Sequence, residues 1–451
     1  MSSETKSARQ PLDLSKWRTM PMKLMVAGVV FVLIGLFVAG EHRGEQFAFS
    51  WLLGFMFFLS LCGGALFLVI VHHLFDAGWS VPIRRFCEHI ASLFVPWLAF
   101  LFLPIAFSAK TLYSWMRQHP DHMDHALKAK QPLFTVPMFY VVAAFCFFVW
   151  FVLSNRLRYW SVKQDTEKSD HWATAPGFLR RRLGLNQDSP GIVECTRQMR
   201  KYSCIGILLF AVTLTLAAIM WMKALQHQWF STMYGVYYFA ASTWITLATA
   251  YVITMILDRQ GVLTDVLHEH QYYFLGSLLF AFTVFYAYVT FAQYFIIWNG
   301  NMPEETFWYV LREKGTWWYI GLVIIFGHFF LPFLGLLRID VKSVFSYMVP
   351  LCAWTWLMHF IDLSFNIMPV LHPNGFVLHW MDIGCWLFMA GFMSWRFLVE
   401  YAKYPPYPLK DPRLIEAMGY YHPVPTQISG GELDQTDTMS TAPRHSHGGP
   451  R

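Results

Sequence analysis

Ionisable side chains punctuate the apolar stretches of this sequence, and their types suit proton transfer. His72, His73 and Asp76 close one stretch, Glu88 and His89 fall near the start of the next, Asp258 closes another, and His268, Glu269 and His270 open a fourth. His328 stands in the middle of a stretch, four residues before Pro332, whose missing N–H loosens a helix locally. His359 with Asp362, and His379 with Asp382, are spaced i, i+3, so each pair shares one helix face. Imidazoles titrate near neutral pH and carboxylates accept and return protons. The set therefore has the chemistry of a relay: an inner cluster, a central His328 and an outer cluster, forming two half-channels. The bland alternative is that groups at helix ends, such as Asp76, Glu88 and Asp258, satisfy interfacial hydrogen bonds.

What must position these groups follows from composition. Hydrophobic residues make up 56% of the 451 and charged residues only 14%, with 42 Phe, 20 Trp and 21 Tyr, more than a soluble core needs. Crossing a bilayer takes about 20 mostly apolar residues. Ten runs qualify: 23–40, 49–75, 82–108, 133–154, 203–224, 231–257, 271–298, 316–337, 344–368 and 377–399. The expected fold is thus an all-α integral membrane protein with ten transmembrane helices. The first run has no cleavage site after it and reads as a retained helix.

Basic residues resist translocation. Most of the 34 Lys and Arg fall on one side if both termini are cytoplasmic, with the 155–202 loop (Arg180, Arg181 and Arg182 among its residues) as the richest segment. N-in and C-in is therefore expected, with FLRRRLGL lying on the inner leaflet. Lipid head groups and topology account for the net charge of +6 without nucleic acid. The seven cysteines contain no CxxC and no metal-type spacing, so no redox metal site is expected in this chain.

A shift of 181 residues pairs Phe49 with Phe230, Gly54 with Gly235, Glu88 with Glu269 and His89 with His270. Four crossings separate the copies, so the repeat is parallel. The expected organisation is a cytoplasmic segment 1–22, a peripheral helix within 23–48, four-helix bundles at 49–224 and 225–376, a tenth helix within 377–403, and a partly disordered cytoplasmic tail 404–451, its first half ordered against a partner.

Between runs seven and eight the chain reads QYFIIWNGNMPEET, Gln293 to Thr306. Asn and Gly suit a left-handed helix end, Pro303 suits a first helical position, and Glu304 and Glu305 favour the positive end of a new helix. A turn and a short acidic outer helix are expected, with Trp308, Tyr309, Trp317 and Trp318 as interfacial anchors. Gln293, Tyr294, Asn301, Glu304 and Glu305 are candidate partner or interface residues.

With FYAYVTFAQYFIIWNGNMPEETFWYVLR, VHHLFDAGWSVPIRRFCEHIA upstream and an even ten-helix plan, the chain resembles the NrfD/PsrC-like membrane family, as found in bacterial alternative complex III. The resemblance covers runs two to ten. It implies a subunit of a quinol:cytochrome c oxidoreductase in the bacterial inner membrane. The implied partners are a second NrfD-like (ActC-like) membrane subunit, an iron–sulfur subunit, and multihaem and monohaem cytochrome c subunits, with a terminal oxidase as a further candidate. It also implies that haem c and iron–sulfur clusters sit in those partners, that menaquinol or another quinol is the substrate of the complex, and that this chain binds no redox cofactor. In that family the quinol site is assigned to the ActC-like subunit. The expected role here is to provide proton-conducting half-channels and support, with the clustered ionisable residues carrying protons or tuning a quinol-like head group. A pure scaffold is the first alternative and a secondary transporter the second.

Overall fold

The computed structural model describes residues 14–118, 124–131, 133–166 and 190–419. Among them there is no strand, and nine helical segments are long and apolar enough to cross a membrane. The chain is an all-α membrane protein.

The principal helices are α1 (Thr19–Val38), α2 (Arg43–Phe75), α3 (Val81–Ala91), α4 (Trp97–Phe107), α5 (Val136–Thr166), α6 (Pro190–Ala217), α7 (Tyr234–Arg259), α8 (Glu269–Gly300), α9 (Pro303–Arg312), α10 (Trp317–Val323), α11 (Leu331–Leu336), α12 (Phe345–Ile367) and α13 (Trp380–Tyr401). Nine of the ten expected runs appear among the candidate spans. The tenth forms α13, a helix of 22 residues carrying Asp382, Arg396 and Glu400, which is not one of them.

Helices α2 and α7, the matching helices of the sequence repeat, pack against each other at the centre. A Cβ on Gly64 would lie 2.3 Å from the Ser242 carbonyl oxygen. Thr246 Oγ1 donates to the Leu61 carbonyl (3.1 Å), and the Tyr238 hydroxyl donates to that of Met56 (2.6 Å). Away from this centre, α1 and α13 approach through glycines. A Cβ on Gly28 would meet the Phe388 backbone nitrogen at 2.4 Å, and one on Gly384 would meet that of Val32 at 2.7 Å. Small residues let backbones close in this way when apolar helices associate in lipid.

Two expectations need correction, and the start of the tail finds its place. The run 82–108 is two helices, because Val95 is extended before Pro96, whose ring cannot continue the ladder. Much of the 155–202 loop is helical, since α5 continues to Thr166 and α6 begins at Pro190; FLRRRLGL lies outside the described residues. The first part of the tail packs against its own chain. Gln271 Nε2 donates to the Ala417 carbonyl (2.7 Å), and Asp165 accepts from the Leu409 N–H (2.9 Å). The disorder expected later in the tail falls on 420–451, outside the described residues.

The turn after α8 forms as its residues demand. Asn301 is left-handed (φ 46°), Pro303 opens α9, and Glu304 and Glu305 sit in its first turn. Trp308 and Trp317, however, are buried within the protein, stacked on Trp229 and hydrogen-bonded to the His372 carbonyl respectively. Trp318 is half exposed.

Candidate functional site

At the basic end of the molecule, α3 turns Arg84, Arg85, Glu88 and His89 inward, none more than 2% exposed. Arg84 pairs with Glu88 (3.0 Å) and with Asp411 of the tail; Arg85 pairs with Glu88 (3.2 Å) and with Asp165 of α5. Two guanidiniums thus interleave with three carboxylates, which limits the cost of burying them. His72 joins through Nε2 to Arg84 (2.8 Å) and through Nδ1 to Ser80 Oγ (2.6 Å). Because a guanidinium only donates, Nε2 is the acceptor and Nδ1 carries the hydrogen. Burial alone would raise the proton affinity of Asp411, but the Arg84 guanidinium holds its carboxyl below the usual range.

Around this core the other inner candidates take separate posts. His73 is 4% exposed, and its Nε2 has no hydrogen-bond partner. Asp76 caps α2 in the left-handed region (φ 52°) and accepts from Arg200 (2.7 Å) and Arg413 (2.9 Å). His89 lies between Tyr401 and Tyr404 with neither ring nitrogen partnered. Asp258 accepts from the Tyr272 hydroxyl (3.0 Å), His268 caps α8 and reaches the Met418 carbonyl (3.0 Å), and His270 is exposed. The Glu269 side chain lies outside the described residues. The expected inner cluster is therefore a tight pair, His72 and Glu88, bridged by Arg84, with the remainder set around it or dispersed.

Deeper in the molecule, Pro332 disturbs the ladder as expected, and residues Ile324–Phe330 wind as a π-helix between α10 and α11. Trp354 Nε1 takes the Gly327 carbonyl (2.8 Å). This winding delivers His328 between the rings of Trp244 and Tyr286, each centroid 3.8 Å away at 20°. Neither ring nitrogen of His328 reaches a partner in another residue. Asp362 accepts from the hydroxyls of Tyr237 (2.5 Å) and Tyr286 (2.7 Å). Asn366 donates to the Tyr237 hydroxyl (2.7 Å), and its carbonyl accepts from Arg312 (2.9 Å) on α9. Burial brings Arg312 down to about 9, still cationic at neutral pH, and the guanidinium lies 3.4 Å over the Trp308 ring.

The outer pairs do not form one cluster. His359 bonds Ser60 Oγ through Nε2 (2.8 Å), not Asp362. Asp382 accepts from Ser50 Oγ (2.6 Å) and Gln46 Nε2 (3.2 Å) of α2, and from the His379 N–H (2.9 Å), so His379 and Asp382 cap α13. Polar residues of α2 separate them: Ser60 serves one pair and Ser50 with Gln46 the other. His372 continues the second group to Gln46 (2.9 Å). Among the interface candidates, Gln293 is a strut, accepting from Ser231 (2.7 Å) and donating to Tyr309 (3.1 Å), while Tyr294 packs on Tyr309. Asn301 and Glu304 are exposed and Glu305 is half-buried.

Several participants escaped sequence reasoning. Arg84 and Arg85 stand at i, i+4 and i, i+3 from Glu88, a signal present in VPIRRFCEHI. Tyr237, Tyr286 and Asn366 are hidden in an aromatic-rich background, and nothing local marks Asp165 or Asp411. Among the described residues, no group of three or more His, Cys, Asp or Glu gathers to hold a metal ion. No family model matches the chain, and no curated protein matches it.

Proposed function

We propose that the chain is a membrane subunit, carrying no redox cofactor itself, of a bacterial inner-membrane quinol:cytochrome c oxidoreductase, and that it conducts protons along two half-channels. The family resemblance suggests the ActF position in an alternative complex III, beside an ActC-like subunit, an iron–sulfur subunit and cytochrome c subunits. Orientation is proposed as N-in and C-in, which puts the His72 end in the cytoplasm.

The single observation behind the proton role is the buried carboxylate Asp362 beneath two phenols, one of which stacks on the unpartnered imidazole of His328. Ionisable groups in a membrane interior are costly, and their retention favours function. From Ser60, which holds His359, to His72 is twelve residues of α2, about 18 Å of rise. The buried α2 residues between include Cys62, Leu66, Val69 and Ile70, all apolar. On α2 this apolar stretch lies between the two polar ends, a separation that a coupled path needs to avoid a passive leak.

The test is purification of the C-terminally tagged chain from native membranes, with a reduced-minus-oxidised spectrum and identification of co-purifying subunits. A c-type haem signal with an iron–sulfur subunit and quinol-dependent reduction supports the assignment. A colourless, solitary protein overturns it. Within an active complex, Asp362→Asn separates conduction from scaffolding: loss of proton uptake with electron transfer retained supports conduction, and unchanged uptake supports the scaffold.

A further inference from the structure

Where α2 ends, α6 and the returning tail enclose a polar hollow of about 490 Å³, lined by His73, Asp76, Arg197, Arg200, Asp411 and Arg413. Its charges do not balance. Asp411 is engaged by Arg84, so Asp76 is left to serve both Arg200 (2.7 Å) and Arg413 (2.9 Å). Arg197 meets only Glu194, at 3.9 Å and largely exposed, a pairing worth little in water. Three guanidiniums therefore stand against one carboxylate and the partial negative charge at the end of α2. Arg200 grips Asp76 through Nε (2.9 Å) and Nη2, which leaves its Nη1 without a hydrogen-bond partner among the described residues. His73 in the wall is 4% exposed, and its Nε2 also lacks a partner.

We propose that this hollow binds a phosphate-ester group, presented by an anionic phospholipid of the adjoining leaflet. The surplus of guanidiniums calls for an anion, and several forks around one centre suit a tetrahedral phosphate better than a planar carboxylate, which a single fork satisfies. A neutral ring or an acyl chain would desolvate these cations without compensation. Depth points to the source of the phosphate. Phe75, next to Asp76, is 76% exposed, and on α6 Ile205 and Leu208, five and eight residues beyond Arg200, are exposed as well. An exposed apolar surface thus begins within about 8 Å of Arg200 along the helix. That is the level at which phospholipid head groups lie, and a basic pocket there fits an anionic head. A soluble phosphate ester would meet the same groups. Anion binding here needs neither a quinol nor a redox partner.

The experiment uses the full chain, with whatever subunits co-purify, stripped of lipid in mild detergent. Its melting temperature is followed as phosphatidylglycerol is added, against phosphatidylcholine, and separately as glycerol 3-phosphate is added, against chloride at equal ionic strength. A saturable rise with phosphatidylglycerol, absent with phosphatidylcholine, is the expected result. A rise with glycerol 3-phosphate instead keeps the site and makes its ligand soluble. Arg200→Gln removes a charged donor and should weaken half-saturation about tenfold. Arg197→Gln should weaken it several-fold. Arg338→Gln, which removes an exposed arginine from the connection between α11 and α12, should leave it unchanged. Melting without ligand checks that each variant folds, and the exposed Arg197 carries the test if the Arg200 variant does not fold. An equal rise with phosphatidylcholine, no saturable response to either phosphate ester, a response that both folded hollow variants leave intact, or one that Arg338→Gln weakens as much overturns the proposal.

Discussion

Tyr286 and His328 share a ring contact at 3.8 Å, while the Tyr286 hydroxyl donates to Asp362 at 2.7 Å. One side chain therefore touches the imidazole by its face and the carboxylate by its edge. Tyr286→Phe keeps the face and removes the hydroxyl, leaving Asp362 with Tyr237 alone. The expected outcome is an assembled complex whose proton uptake per electron falls at least several-fold, read with a pH-sensitive dye in vesicles. Uptake at the normal ratio would remove Tyr286 from the path.

Asp411 anchors the tail by pairing with buried Arg84. Removing Asp411 leaves buried Arg84 with Glu88 as its one carboxylate partner, so the loss should be a part of the about 3–5 kcal/mol that a fully orphaned buried charge costs. Asp411→Ala should lower the melting temperature accordingly and expose 404–419 to protease. Arg84→Met combined with Asp411→Leu should recover much of the loss, because Glu88 keeps Arg85. If the single variant melts like the parent, the tail is not held by this pair.

Helix type was legible because apolar runs of membrane length leave few alternatives, whereas helix extent was not, since α5 and α6 run on through polar sequence to Thr166 and from Pro190; the turn at Asn301 and Pro303 was legible because its chemistry is local. The π-helix at His328 was half legible: Pro332 announced a disturbed ladder, but not the aromatic slot formed by Trp244 and Tyr286, which depends on two other helices. The partition of the outer pairs was hidden for a related reason. Spacing on α12 and α13 shows which residues share a face, whereas Ser60, Ser50 and Gln46 of α2 decide what that face meets. Asp411 is the extreme case, 327 residues from its partner Arg84 in a tail that reads as polar and proline-rich.

The glycine contact of α1 with α13 offers a stability test away from every titrating group. A Cβ on Gly28 would collide with backbone at 2.4 Å, which no rotamer change relieves. Gly28→Val should therefore separate the pair. A disulfide engineered between neighbouring α1 and α13 positions should form readily in the parent and poorly in the variant. Equal yields in both would show that the close approach does not hold the helices together.

The pairing of Asp124 with His227 (2.7 Å) supplies a pH-dependent one, in a connection outside the membrane-spanning helices. Burial works against ionisation of Asp124, but hydrogen bonds from His227, the Leu127 N–H and Gln228 outweigh it and hold the carboxyl at about 2. A carboxyl depressed on folding stabilises the native state above its unfolded value near 3.9, and that contribution disappears as pH falls through about 2. Hydrogen-exchange protection at the 124–131 turn, taken relative to the intrinsic rate at each pH, should therefore fall between about pH 4 and pH 2, as Asp124 releases His227 and the N–H of Leu127. Asp124→Asn keeps an acceptor for Leu127 but cannot titrate, so its protection should be lower than the parent's at neutral pH and constant across the acid window. A parent profile as flat as the variant's would show that another group holds the turn.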